Sequence, residues 1–337
     1  MAKLVGLIEH YVVPYVSDYI PEILLGVIAV LVAAVAALIT FIIRYSLYSQ
    51  RTTVAFVRDD SREESLVDIL QFDEAHNAGL LADCALLSAN IYRNRDYVSE
   101  DNLERLTKTQ RLSLSNWTEV DPEFYEAVEP PYRGIRFPVK YEVWRNEKNE
   151  KNKVIAIVFR GTVPGLNSWI ANMHWIFRLV PFVRDQYDRT KLIIPAITKQ
   201  LSKEIADGVT LIATGHSLGG GLAQHSVYLS PDIKIAYAFN ASPVTGWYDV
   251  RKKTRIANAA GSRIYRIHEN GEILQFLRLF MKIAYLFNPR PNQDPYFAEY
   301  RINLRIGGGL IGQHAMMPIA GKLTKIRREA RTTPAST

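Results

Sequence analysis

Residues Thr210 to Ala223 read TLIATGHSLGGGLA, and Gly215-His216-Ser217-Leu218-Gly219 within them is a G-x-S-x-G. Before the motif, Thr210 to Thr214 is a short apolar, β-branched run with the composition of a buried strand. After it, Leu218 to Leu229 reads as a helix opened by glycines. A serine on a sharp strand-to-helix turn is held in a strained backbone conformation, so the residues two places either side must be small. The turn lifts the hydroxyl off the sheet and aims the helix N-terminus, with its free amides, at the place where an oxyanion forms. Ser217 is therefore the expected nucleophile of a hydrolase, and the Leu218 N–H one expected oxyanion donor.

The flanking sequence predicts the sheet that such a turn needs. Val139 to Trp144 alternates polar and apolar residues, Val154 to Phe159 is a buried-type run, and polar Arg145 to Lys153 joins them as a hairpin. Lys191 to Ile205 has the spacing of an amphipathic helix, and Ile233 to Phe239 and Arg263 to Ile267 are further strands. Strands alternating with helices around the turn indicate an α/β fold whose sheet is mainly parallel in its later half. Upstream, Glu64 to Tyr92 carries helical spacing divided near His76-Asn77.

Acyl transfer at a serine needs a base, an acid that orients it, and donors for the tetrahedral oxyanion. In α/β-hydrolases the order along the chain is serine, acid, histidine. Beyond Ser217 lie only His225, His268 and His314. His225 sits on the nucleophile helix facing away from the turn, and His268 comes too early to follow the acid. His314, in the late glycine-rich stretch Gly307-Gly-Gly-Leu-Ile-Gly-Gln-His, is the expected base. His216 is expected to pack or hydrogen-bond beside the turn. Glu272 leads as the acid, because it follows the Arg263 strand and precedes Ile-Leu; Glu269 and Asp249 stay open as alternatives. The second oxyanion donor is expected from Thr162, at the end of the Val154 strand in Phe159-Arg-Gly-Thr162.

These residues carry a resemblance. Val158-Phe-Arg-Gly-Thr162, Trp169 with Asn172, Gly215-His-Ser-Leu-Gly-Gly220, Phe239-Asn-Ala-Ser-Pro243 and the late histidine together resemble the class 3 (fungal-type) lipase family of α/β-hydrolases, over roughly residues 75–320. The resemblance implies a triad of Ser217, an acid and His314, with Thr162 and Leu218 as the oxyanion hole. It also implies a lid after the oxyanion turn. The segment Asn167 to Phe182, with Trp169, Trp175 and Phe177, fits such a lid or acyl-chain groove. The pattern departs at Asn270-Gly-Glu-Ile-Leu274, where the family usually has Asp and no extra glycine.

The N-terminal part has a different character. Ile23 to Ile43 contains no charged residue, and at about 1.5 Å per residue it reaches roughly 30 Å, the thickness of a bilayer's hydrocarbon core. Tyr11, Tyr15, Tyr19, Tyr45 and Tyr48 flank it as interfacial aromatics do. It begins late and ends in Phe-Ile-Ile-Arg-Tyr, unlike a cleaved signal peptide. Arg44, Arg51 and Arg58 follow it, while Glu9, Asp18 and Glu22 precede it, so a cytoplasmic C-terminal domain is expected. Expected boundaries are a flanking segment at 1–22, a transmembrane helix at 23–43, a linker at 44–64, a hydrolase domain at 65–321 and a basic tail at 322–337. Phe276 to Phe287 is a second apolar stretch, interrupted by Arg278 and Lys282, expected to dip into lipid headgroups.

The 337 residues are 48% hydrophobic, enough for a substantial core, and the net charge of +7 suits work beside anionic lipid. The single cysteine, Cys84, excludes an intramolecular disulfide framework. No zinc, nucleotide or dinucleotide motif is present, so neither cofactor nor metal is expected, and no nucleic-acid partner. The expected protein is a membrane-anchored lipase or phospholipase whose partners are the bilayer and a lipid acyl ester. An esterase or thioesterase on small soluble substrates uses the same residues, and a membrane-tethered adaptor that keeps the fold without catalysis is the third reading.

Overall fold

The computed structural model describes residues 13–48, 55–56, 63–64, 80–93, 114–123, 139–146, 153–161, 186–284, 296–304, 306 and 308–332. Seven strands form one sheet in sequential order: β3 (Trp117–Glu119), β4 (Tyr141–Asn146), β5 (Val154–Phe159), β6 (Thr210–His216), β7 (Ile233–Phe239), β8 (Arg263–Glu269) and β9 (Tyr296–Ile302). The first three pair antiparallel and β5 to β9 run parallel. The fold is therefore α/β with a mixed sheet, parallel in its later half. A separate two-residue pairing joins β1 (Ala55–Phe56) to β2 (Glu63–Glu64).

Alternation along the parallel strands feeds two cores. Val154, Ala156 and Val158 of β5, with Ile212, Tyr237, Phe239 and Ile267, face α2 (Leu80–Asn90) and the C-terminal helix Met316–Thr332. Ile155, Ile157 and Phe159, with Leu211, Ala213, Ile233 and Ile264, face the opposite layer. That layer contains α3 (Gln186–Gln200), α5 (Leu218–Leu229) and α6 (Lys252–Ala259). The helix expected over Lys191 to Ile205 is two: α3 ends at Gln200 and a short α4 (Ser202–Ala206) follows. Sheets buried on both faces need strands that are apolar throughout, and β5 is buried at all its positions.

The remaining helices are α1 (Val13–Tyr48), α7 (Leu274–Ala284), α8 (Gly309–Gly312) and α9 (Met316–Thr332). Leu24–Ile43 within α1 is long and apolar enough to cross a membrane, and by the same measure to be a signal sequence. Most of its large side chains are exposed, whereas Ala33 and Ala37, one turn apart, are buried. α7 packs against this helix.

The basic tail expected at 322–337, read from the sequence as a frayed helix near lipid or solvent, is in its first part a packed helix. Residues 322–332 continue α9, which packs on α2, and Met316, Ile319, Ala320 and Leu323 are buried in the core. Arg327 donates to Asp83 of α2 at 2.7 Å, and the Asp83 carboxylate also accepts the Trp117 indole N–H at 3.0 Å. Lys322 donates to the Leu304 carbonyl at 2.8 Å. These cations serve the fold. Removing one partner of a nearly buried ion pair leaves the other uncompensated, so Arg327→Met is expected to cost about 3 kcal/mol of unfolding free energy. Lys325→Met, on the exposed side of the same helix, is expected to stay within about 0.5 kcal/mol. Urea unfolding followed by tryptophan fluorescence checks both.

Candidate active site

The turn between β6 and α5 is built as its sequence requires. Ser217 has φ 57° and ψ −124°, a conformation that L side chains rarely adopt. A Cβ on Gly215 would collide with the Gly219 carbonyl group, and one on Gly219 with the Phe159 carbonyl at the end of β5. Both positions must be glycine for the helix to start this close to the sheet. The Ser217 N–H donates to the Phe239 carbonyl at 3.0 Å, and the Ser217 carbonyl accepts from Ser242 N–H at 2.9 Å. The strained residue is thus held on both sides by the adjacent β7 exit. Leu218 is the first residue of α5, where its amide belongs to the free N-terminal turn.

His314 lies in the turn between α8 and α9. Its Nδ1 is 2.7 Å from Oε2 of Glu272, whose side chain is completely buried. The same oxygen accepts the Leu274 N–H at 3.0 Å. With Nδ1–H donating to the carboxylate, Nε2 is the nitrogen left to accept a proton. Burial first, and the Arg278 cation second, hold the His314 imidazole down at about 3, so it is a neutral base at physiological pH.

The alternatives for the acid have other partners. Both oxygens of Glu269, at the end of β8, accept the Leu304 N–H at 2.9 and 3.1 Å. Asp249 ends a one-turn helix, Trp247–Asp249, after β7. His225 is buried on α5 with its ring against Tyr187, centroids 5.4 Å apart. Cys84 is buried in α2. Thr162, Trp169, Trp175 and Phe177, and with them the expected lid, lie outside the described residues, as does His76.

His216, next to Ser217, links two loops. Its Nε2 is 2.7 Å from the His314 carbonyl and its Nδ1 3.1 Å from the Tyr92 hydroxyl. A carbonyl only accepts, so the proton is on Nε2 and Nδ1 accepts from Tyr92. The Tyr92 oxygen in turn accepts the Gly161 N–H at 3.1 Å, from the loop leaving β5. The direction of every bond is thereby fixed, from Gly161 through Tyr92 and His216 to the backbone of the base. The His216 and His314 rings also touch, centroids 4.7 Å apart. Burial, followed by the neighbouring His314, keeps His216 well below the ordinary imidazole range. Asn240, at φ 40°, adds a second brace: its Nδ2 donates to the carbonyls of Gln313 at 3.0 Å and His314 at 3.3 Å, and its Oδ1 accepts the Glu269 N–H at 2.8 Å. Tyr92 and Asn240 were not singled out by the sequence. Asn240 does fall within Phe239-Asn-Ala-Ser-Pro243, whereas nothing around Tyr92 marks it.

A strained serine at a strand-to-helix turn, in an α/β sheet with a paired histidine and carboxylate on later loops, has the layout of a serine hydrolase site. Residues 83–332 match the model of the phospholipase-like family, described as the Tle-like phospholipase domain. The chain belongs to that family, and so to the lipid hydrolases. Among solved structures it is similar to the Lip2 lipase from Yarrowia lipolytica, with 16% identity and a TM-score of 0.34 over 61% of this chain and 74% of that one. No curated protein sequence matches it.

Two outcomes follow from the buried imidazoles and their hydrogen bonds. Tyr92→Phe leaves the Gly161 N–H and His216 Nδ1 without the hydroxyl between them, an expected loss of about 1–3 kcal/mol, measurable as a fall in denaturation midpoint. His314 and His216 take up a proton more readily in the unfolded chain than in the fold. Stability is therefore complete above the unfolded value near about 6.5 and is lost as pH falls toward the folded value, which for His314 is about 3. Urea midpoints measured at steps from neutral to acid pH check this slope.

Proposed function

We propose that this chain is a membrane-anchored serine phospholipase or lipase, with Ser217 as nucleophile, His314 as base and Glu272 as the acid that orients it. The observation that carries the reading is the Glu272–His314 contact of 2.7 Å, on loops braced to the residue beside a serine at φ 57°. His314 Nε2 takes the Ser217 proton as Oγ bonds to the ester carbonyl carbon. The tetrahedral oxyanion is met by the Leu218 N–H and by the Thr162 N–H of the loop after β5. On collapse the ester C–O bond breaks, and His314 returns the proton to the departing alcohol oxygen. Water, deprotonated by the same imidazole, then attacks the acyl-enzyme and releases the fatty acid. The layout is the one implied by class 3 lipases, with Glu in place of the usual Asp.

Lipid rather than a soluble ester as the substrate is supported by three features. The family is one of phospholipase-like domains. The helix that begins two residues after Glu272 packs against the long apolar N-terminal helix. Trp169, Trp175 and Phe177 supply an apolar segment suited to a lid or acyl groove. In this reading residues 23–43 span the bilayer and the hydrolase domain lies on the cytoplasmic side, where the basic flank belongs.

The test is fluorophosphonate labelling of the detergent-purified full chain beside Ser217→Ala, with fatty-acid release from mixed phospholipid and triglyceride vesicles. Both signals are expected in the wild type and neither in the variant. Glu272→Gln is expected to slow release by at least about 10²-fold. Labelling without release from vesicles moves the substrate to soluble esters or thioesters. No labelling at any pH leaves a tethered protein without catalysis and ends the enzymatic reading.

A further inference from the structure

Glu272 is a completely buried carboxylate, and such a group is costly unless every oxygen is engaged. One oxygen, Oε2, is taken by His314 Nδ1 and the Leu274 N–H. The other, Oε1, meets the Nη2 of Arg278, a cation that is itself only 10% exposed. Arg278 lies on α7, in the stretch where the sequence led us to expect contact with lipid headgroups. It points inward. Its second nitrogen, Nη1, donates to the Ala241 carbonyl at 2.8 Å. Ala241 follows Asn240, the residue that holds the Gln313 and His314 carbonyls.

We propose that Arg278 is a positioning residue of this site. Its fork occupies one oxygen of Glu272 and ties the acid to the β7 exit, so that only the other oxygen faces His314. The inference rests on the triad reading above. A planar guanidinium suits this role because it makes two directed contacts at once, to a carboxylate and to a carbonyl, which an ammonium does not. Its cation also bears on the base, since both groups contact the Glu272 carboxylate. Among the described residues, the groups around the His314 ring are Glu272 at Nδ1, His216 from the end of β6 and Arg278 from α7. Glu269, at the end of β8, is turned to the Leu304 amide instead. The acid's charge is thus shared between a permanent cation and an imidazole. Burial first, and the Arg278 cation second, oppose a positive charge on His314, so the site stays in its basic form as the medium turns acid. α7 also packs on the N-terminal apolar helix, so the element carrying the arginine is seated between that helix and the triad.

The experiment is the rate of Ser217 labelling by a fluorophosphonate as a function of pH, in the full-length protein in detergent, for the wild type, Arg278→Met and Arg278→Lys. This readout needs no lipid substrate and isolates the base. The wild-type rate is expected to hold through the mildly acidic range, with its acid limb well below the ordinary imidazole value of about 6.5. Arg278→Met is expected to move that limb upward by more than about one pH unit and to lower the plateau about tenfold or more. Arg278→Lys keeps the charge but not the fork; its limb is expected to stay low while its plateau falls. An arginine that only stabilises the fold would change yield and melting temperature and leave the limb where it was. A wild-type limb near about 6.5 overturns the proposal without any variant, as does an Arg278→Met limb that coincides with the wild type's. If Arg278→Met does not fold, the wild type and Arg278→Lys decide, and a limb at the ordinary value in either overturns it. A wild type that labels normally while the limb is unmoved by substitution removes Arg278 alone. A wild type that never labels removes the triad and this proposal with it.

Discussion

The approach of α5 to the sheet is the constraint from which the rest of the site follows. With Gly215 and Gly219 in contact with each other's backbone and with the β5 exit, no larger residue can stand at either place. Ser217 is driven into a positive φ as a result. Such strain persists only where the surroundings over-determine it. Here the hydrogen bonds of Ser217 with Phe239 and Ser242 do so. The strained serine is therefore a property of three adjoining strand ends, β5, β6 and β7, rather than of five residues of sequence.

Around that turn the polar groups are arranged so that each bond has one possible direction. Backbone carbonyls can only accept, which fixes the His216 tautomer, then the Tyr92 hydroxyl, then the demand on Gly161. His314 is held twice through its own carbonyl, by His216 and by Asn240. Its ring is left to be set by the Glu272 carboxylate at Nδ1 and by the His216 ring beside it. Buried networks of this kind are worth having only when every member is satisfied. They make the positions of the loops after β5, β7 and α8 mutually dependent.

How much of this the sequence revealed depends on whether the signal was local. The strand, turn and helix at Ser217 lie within twenty residues and carry their own small-residue requirement, so they could be read directly. His314 was reached through chain order. Glu272, Glu269 and Asp249 could not be separated in that way, because what distinguishes them is which oxygen meets which amide across the strand ends. Arg278 was seen but given a surface role: an arginine in an apolar helix looks the same whether it reaches lipid headgroups or a buried carboxylate. Tyr92 is joined to His216 across 124 residues, and no periodicity encodes that. The C-terminal helix is legible as a helix, but its burial is not. Met316, Ile319, Ala320 and Leu323 have core-facing helical spacing, and the surrounding lysines and arginines concealed it.

The pairing of Arg327 with Asp83 joins residues 244 positions apart, and it bears on how the chain is made. α2 lies on the sheet and α9 packs on α2 in the same apolar core, so that core is not closed until the chain has been made as far as α9. At ribosomal speeds of about 5–20 residues per second, the α2 side of this core waits on the order of ten seconds or more for its partner helix. The long apolar N-terminal helix has by then already emerged. Closure of this core is thus among the later steps in the folding of the domain, whatever the rest of the sheet has already formed.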